Sequence, residues 1–169
     1  MQQPTTSSDP QAPPIATHQD GPGVRIPPPV FFVLAFLVGW ALQARFPLPW
    51  LARPLALGAG AGLAAAGALI ILVGAAVLVR RHGTLNTNGP SAALVISGPY
   101  RFTRNPLYLG LALLYGGCAT LLAIVWALPL LIPLVIYTQL GVILPEERYL
   151  ERAFGDPYRA YKARVWRWL

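Results

Sequence analysis

Charged residues are scarce in this chain, and acidic residues are missing from most of it. Of its 169 residues, 13 are Lys or Arg and 6 are Asp or Glu, and no carboxylate occurs from Gly21 to Pro145. Soluble domains carry about 25% charged residues, whereas this chain has 11% together with 55% hydrophobic residues and a mean hydropathy of +0.52. This composition excludes an ordinary water-soluble domain and indicates an integral membrane protein.

Cysteine and histidine are also rare. Cys118 is the one cysteine, so the chain can form no intrachain disulfide and no multi-cysteine metal site. The two histidines, His18 and His82, make no metal-ligand cluster. We therefore expect no metal cofactor, and a packing role for Cys118.

Three long apolar tracts cover residues 29–46, 55–79 and 106–144. A helix that spans the bilayer needs about 20 apolar residues, so each of the first two tracts fits one span. The third is long enough for two spans, with a turn near residues 124–129. The sequence thus predicts an all-α membrane protein with about four transmembrane helices and a C-terminal amphipathic helical segment.

The N-terminal composition differs from the rest. Residues 1–29 are rich in Pro, Ser, Thr and Gln, and such a segment buries too little apolar surface to order itself. It lacks the pattern of a signal peptide, so we expect the first span to be retained. The predicted organisation is a disordered tail (1–29), two transmembrane helices (30–79) and a functional core of loop, transmembrane hairpin and cytoplasmic helix (80–169).

Basic residues are concentrated on one side of the predicted spans. Most of them lie in the loop at 80–105 and after the fourth span. The positive-inside tendency therefore places both termini in the cytoplasm. Nucleic acid is not the expected partner, because no separate basic domain is present. Anionic membrane lipids are expected instead.

Small residues recur in the second span. Gly58 and Gly62, and likewise Gly60 and Ala64, are four residues apart. This spacing predicts a smooth helix face on which a neighbouring helix packs closely.

The end of the 80–105 loop carries aromatic, basic and amide side chains in the string GPYRFTRNPLYLG. Pro106 suits the first position of a helix, and a helix start presents free N–H groups and partial positive charge. A ligand carboxylate could bind there to Arg104, with Tyr100 or Tyr108 covering an aromatic base. The alternative is an ordinary interfacial belt of Arg and Tyr.

Glu146 and Glu147 follow the long acid-free stretch. Adjacent carboxylates at a membrane boundary need cationic or hydrogen-bonding partners. One is expected to bind a ligand amine or ribose hydroxyls, and the other to pair with Arg148, Arg101 or Arg104. Alternatively, both acids simply begin a helix, where they complement its dipole.

The segment from Pro145 onward has the pattern of an amphipathic helix that is interrupted at 155–157. Beyond the interruption the spacing predicts an interfacial surface of aromatic and basic residues. Its apolar members are Tyr158, Tyr161, Val165, Trp166 and Trp168.

These two motifs together resemble the isoprenylcysteine carboxyl methyltransferase and phospholipid methyltransferase superfamily of integral membrane enzymes. The string GPYRFTRNPLYLG, followed after one helical hairpin by PEERYLERAFGDPYRAYKARVWRWL, carries the resemblance. It covers residues 83–169 and is nearest to bacterial isoprenylcysteine methyltransferase-like proteins, which implies a bacterial cytoplasmic membrane.

The resemblance implies S-adenosylmethionine as cofactor, bound at the cytoplasmic ends of the last helices, and a small amphiphilic or lipid-like methyl acceptor that enters from the bilayer. Of the acid pair, Glu146 is favoured as the cofactor contact. The implied cofactor-binding residues are Leu94, Val95, Tyr100, Arg104, Asn105, Pro106, Leu107, Tyr108, Gly110, Glu146 and Glu147.

Two positions depart from the family pattern. Asn105 replaces a histidine, so it can hydrogen-bond but cannot titrate near neutrality. Val142 stands where eukaryotic members have an arginine for the substrate carboxylate, which argues against prenylcysteine as substrate.

Methyl transfer from a sulfonium needs alignment and exclusion of water more than a dedicated nucleophile. The catalytic candidates are Glu147 and Arg104, and a carboxylate would act as base only if the acceptor is an amine. Two other functions remain open: an NADPH-dependent membrane enzyme similar to sterol reductases, and a noncatalytic protein that binds lipid or a partner.

Overall fold

A computed structural model describes residues 27–82 and 94–169. Within these ranges all the regular structure is helical, apart from one isolated bridge, which confirms the all-α prediction. The elements are α1 (Pro28–Arg45), α2 (Arg53–His82), a 3₁₀ turn (Gly98–Arg101), α3 (Pro106–Leu121), α4 (Ala127–Tyr137), a π-helical turn (Thr138–Ile143), α5 (Leu144–Phe154) and α6 (Asp156–Arg164).

Three helical stretches among the described residues are long and apolar enough to cross a membrane. They are Pro28–Arg45, Arg53–Arg80 and the continuous stretch Ala127–Phe154. Helix α3 is apolar but has 16 residues, which correspond to about 24 Å at 1.5 Å per residue. Of the four predicted spans, three are therefore long enough to cross a membrane, and the remaining one, α3, is a shorter apolar helix.

The turn that divides the third tract lies at residues 122–126, somewhat earlier than predicted. It is a Schellman motif: the N–H of Ile124 donates to the carbonyl of Ala119 at 2.8 Å, and the N–H of Ala123 donates to Thr120 at 3.3 Å. Ala123 has φ +54°, a conformation that usually requires glycine. Because no glycine marks this helix end, the sequence pattern placed the turn too late, and Pro129 lies within the first turn of α4 instead.

Helices α2 and α3 pack against each other through small residues. A Cβ on Gly67 would lie 2.5 Å from the carbonyl oxygen of Gly110, and one on Gly60 would lie 2.6 Å from the nitrogen of Leu121. A Cβ on Gly117 would likewise lie too close to the backbone of Ala64. The predicted Gly60 and Ala64 face is confirmed. The Gly58 and Gly62 face is not, because a Cβ at either position meets nothing within 4 Å.

Helices α1 and α4 pack together on the other side of α3. Gly39 lies against the backbone of Ala127, and Trp126 donates a hydrogen bond of 2.8 Å to the carbonyl of Phe46. The apolar core between these helices consists of Phe32, Tyr115, Ala119, Ile124, Ala127 and Leu134. It fixes the direction in which the last long helix leaves the bundle.

That last helix continues through the π-helical turn into the amphipathic α5. It ends at Gly155, whose φ of +57° lets the chain turn before α6. The interruption predicted at 155–157 is thus confirmed. The predicted interfacial exposure is wrong for two residues, because Tyr158 and Tyr161 are buried, with exposed fractions of 1% and 7%.

Most of the predicted N-terminal tail and most of the predicted loop lie outside the described residues. Where the structure resumes, α1 already includes Pro28 and Pro29, and α2 continues to His82. Gly98 then adopts a φ of +62° and lies against Val77 of α2. This contact anchors the part of the loop that carries Tyr100 and Arg104.

Candidate functional site

The C-terminal segment returns to the loop that precedes α3. Thr103 and Trp166 form the isolated parallel bridge, in which the N–H of Arg104 donates to the carbonyl of Trp166 at 2.9 Å. The next carbonyl, that of Arg167, accepts hydrogen bonds from Thr103 Oγ1 at 3.1 Å and Asn105 Nδ2 at 3.0 Å. The last residues of the chain are therefore hydrogen-bonded to the segment that directly precedes α3.

Glu147 is the charged centre of this junction. Arg167 donates two hydrogen bonds to it, from Nε to Oε1 at 2.9 Å and from Nη2 to Oε2 at 2.8 Å. Arg104 Nη1 lies 3.1 Å from the same Oε1. Because a bidentate guanidinium–carboxylate pair fixes geometry as well as charge, Glu147 holds both arginines in place. Arg104 was among the predicted partners of the acid pair, whereas Arg167 was not.

Arg104 keeps unused hydrogen-bonding capacity. Its side chain is 9% exposed. Its Nε and Nη1 atoms are buried and make no hydrogen bond, since the contact of Nη1 with Glu147 has ion-pair distance but not hydrogen-bond direction. Buried donors without an acceptor cost free energy. In addition, two guanidinium groups share one carboxylate, so this triad carries a surplus positive charge.

Glu146 occupies the first turn of α5, beside Glu147. Its carboxylate lies near the hydroxyls of Tyr100, which is buried, and Tyr108, which is half-buried. No ion pair or hydrogen bond joins Glu146 to another of the described side chains. The site thus combines a surplus guanidinium with a carboxylate that lacks a counter-ion.

Two tyrosines of α6, Tyr158 and Tyr161, lie close to Arg104. Tyr158 lies near both Arg104 and Glu147, and burial raises the pKa of its hydroxyl to about 12. Tyr161 donates a hydrogen bond of 2.7 Å to the carbonyl of Tyr100, and burial raises its pKa to about 12 as well. Both hydroxyls therefore remain protonated at neutral pH and serve as hydrogen-bond donors.

The other predicted cofactor residues lie around the start of α3. Val95, Asn105 and Pro106 are buried, and Leu94 is half-buried. Leu107 and Gly110 face α2, where Leu107 lies against Gly74 and Gly110 against Gly67 and Ile71. Their placement gives these two residues a packing function between helices. A cofactor contact at any of these positions stays a prediction.

Sequence reasoning missed the contribution of the last residues of the chain. Arg167 lies beyond the end of α6 and has no helical spacing from Glu147, so no periodic pattern connects them. The one available signal was an arginine between two tryptophans, which also fits a membrane interface. Among the described residues, no three His, Cys, Asp or Glu side chains come together to hold a metal ion.

The sequence profile described as phospholipid methyltransferase matches residues 55–157, more than half of the chain. No curated protein and no solved structure matches. The matched region contains all but the first two residues of α2, all of α3, the Arg104–Glu147 pair and Glu146, and it ends within α6. This all-helical integral membrane protein therefore belongs to the phospholipid methyltransferase family.

Proposed function

We propose that this membrane methyltransferase uses S-adenosylmethionine and transfers its methyl group to a small amphiphilic acceptor. The observation that carries the proposal is that Arg104 and Glu146 each keep unused capacity for a polar ligand. Arg104 presents buried donors without an acceptor, and Glu146 presents a carboxylate without a counter-ion. A ligand with both a carboxylate and an ammonium group would satisfy the two, and the amino-acid part of S-adenosylmethionine has both groups.

The surrounding residues fit such a ligand. The buried Tyr158 lies near both Arg104 and Glu146, and this shared neighbour supports one ligand for the two groups. Tyr100 and Tyr108 lie next to Glu146 and offer aromatic faces. The N-terminus of α3 adds partial positive charge beside Arg104. This arrangement supports the carboxylate at Arg104 and the ammonium or ribose hydroxyls at Glu146.

When bound, the cofactor would supply an electrophilic methyl group on its sulfonium. The contribution of the protein is to orient the reactants and exclude water. Arg104 and Glu146 would hold the amino-acid part of the cofactor, so that its methyl group could meet the acceptor in line. A carboxylate acceptor needs no base. An amine acceptor must be neutral, and the candidate bases are Glu147 and, where the cofactor ammonium does not occupy it, Glu146.

The proposed location is the bacterial cytoplasmic membrane, with both termini in the cytoplasm. The basic side chains of α5, α6 and the following segment lie at the same end as the candidate site. This distribution agrees with the positive-inside tendency. It would place the cofactor site on the side of the membrane where S-adenosylmethionine is made.

The test is calorimetric titration of the detergent-purified protein with S-adenosylmethionine and S-adenosylhomocysteine. We expect saturable binding that weakens at least tenfold in Glu146→Gln and in Arg104→Gln, because each removes a charge-assisted contact worth about 1.5–3 kcal/mol. Glu151→Gln and Arg101→Gln remove the same charges at neighbouring, more exposed positions and should bind as wild type does. Absence of binding by folded wild type would contradict the proposal, and NADPH would then be titrated.

A further inference from the structure

A groove of about 430 Å³ opens between the π-helical turn and the C-terminal segment. It adjoins the candidate cofactor site through Arg167, one of its lining residues, which also binds Glu147. The residues that line it are Val135, Ile136, Gln139, Leu140, Arg167 and Trp168.

The groove has an apolar end and a polar end. Ile136 and Leu140, which are 52% and 60% exposed, belong to the outward face of the last long helix together with Ile132. Since this helix is a candidate membrane span, that face is suited to lipid chains. At the opposite end, Trp168 donates a hydrogen bond of 2.8 Å to Gln139 Oε1. This bond holds the C-terminal segment beside the helix and forms the polar wall.

Arg167 gives the polar end its charge. Its Nε and Nη2 atoms bind Glu147, whereas its Nη1 atom has no hydrogen bond to the described residues. Its side chain is 33% exposed, compared with 9% for Arg104. Arg104 and Arg167 share Glu147, and Arg167 is the more exposed of the two, so its guanidinium edge is the one that solvent and lipid can reach.

We propose that this groove binds an anionic membrane lipid, with the headgroup phosphate on Arg167 and the first part of an acyl chain on Ile136 and Leu140. A guanidinium edge next to an apolar wall matches a molecule that joins an anion to a hydrocarbon chain. A soluble phosphate ion would satisfy Arg167 but leave the apolar wall exposed. The proposal does not depend on methyl transfer, and its test needs no cofactor.

The experiment compares lipids retained by the full-length protein in native mass spectrometry. The protein is equilibrated in detergent with equal amounts of phosphatidylglycerol and phosphatidylcholine, and the bound species are counted. Both headgroups contain a phosphate, but only phosphatidylglycerol has a net negative charge, so we expect one phosphatidylglycerol to be retained with a preference of about fivefold or more. Arg167→Gln should abolish the preference. Arg164→Gln removes a neighbouring exposed arginine, whose Nε binds the carbonyl of Ala160, and should preserve it.

A second variant separates groove occupancy from the effect of Arg167 on Glu147. Leu140→Trp fills the apolar end of the groove at an exposed position and leaves the ion pairs intact. It should lower phosphatidylglycerol retention while the circular dichroism spectrum stays as in wild type. Equal retention of the two lipids by wild type, or full preference in Arg167→Gln, would overturn the proposal, and so would unchanged retention by Leu140→Trp. Neither result would bear on S-adenosylmethionine binding, which the calorimetric titration decides separately.

Discussion

The side-chain amide of Asn105 donates a hydrogen bond of 3.0 Å to the backbone carbonyl of Arg167. The residue that precedes α3 therefore holds the backbone of the residue that binds Glu147. The resemblance to isoprenylcysteine methyltransferases implies a histidine at this position. An amide and a neutral imidazole both have an N–H donor, so either side chain can make this hydrogen bond.

The first prediction concerns this donor. Asn105→His should retain wild-type cofactor affinity, because a neutral imidazole can still donate to the Arg167 carbonyl. Asn105→Asp should weaken binding of S-adenosylhomocysteine about tenfold or more, because a buried carboxylate would face that carbonyl without a donor between them. Calorimetry on both variants checks the prediction. Equal affinity of the two variants would show that the hydrogen bond does not matter for the site.

The second prediction concerns the ion-pair centre. Glu147→Ala should lower the free energy of unfolding by about 3–5 kcal/mol, because it leaves the buried Arg104 without its counter-ion. Thermal unfolding in detergent measures the change as a shift in Tm. Glu151→Gln is the matched control on the same helix, since Glu151 pairs with the exposed Arg159 and Lys162, and exposed pairs contribute little. Similar Tm values for the two variants would contradict a structural function of Glu147.

The sequence was informative where local rules decide the structure. Helical periodicity and apolar length placed α1 and α2 within a few residues, and Pro106 marked the start of α3. The pairing of one acid with Arg104 was also predictable from the sequence. A charge at a membrane boundary needs a partner, and few basic residues were available as partners there.

The sequence was uninformative where tertiary contacts decide. The return of residues 166–168 to the loop before α3 depends on one backbone bridge and on the side chains of Thr103, Asn105 and Gln139. None of these has a characteristic spacing from its partner. The exposure of Tyr158 and Tyr161 was wrongly predicted for the same reason. Aromatic residues among basic ones are typical of a membrane interface, but they can equally be buried against an ion pair.

The third prediction uses two glycines of the same helix. Gly67→Ala should destabilise the protein by about 1–3 kcal/mol, because its Cβ would lie 2.5 Å from the backbone of α3. Gly58→Ala should be neutral or stabilising, because its Cβ meets nothing within 4 Å and alanine favours helix. The half-buried Cys118 of α3, the one cysteine in the chain, allows unfolding to be followed with a thiol-reactive dye. Equal destabilisation by both substitutions would show that α2 and α3 do not pack as described.

The last prediction concerns the turn between α3 and α4. Ala123 has a φ of +54° in the Schellman motif that ends α3, and glycine adopts this conformation without the steric cost that a Cβ imposes. Ala123→Gly should therefore raise the free energy of unfolding by about 1 kcal/mol, even though glycine is more flexible in the unfolded chain. Ala112→Gly, within α3 itself, should lower it by about 1 kcal/mol, because glycine weakens a helix interior. The two Tm shifts should thus have opposite signs, and a decrease in both would place the turn elsewhere, as the apolar pattern alone had suggested.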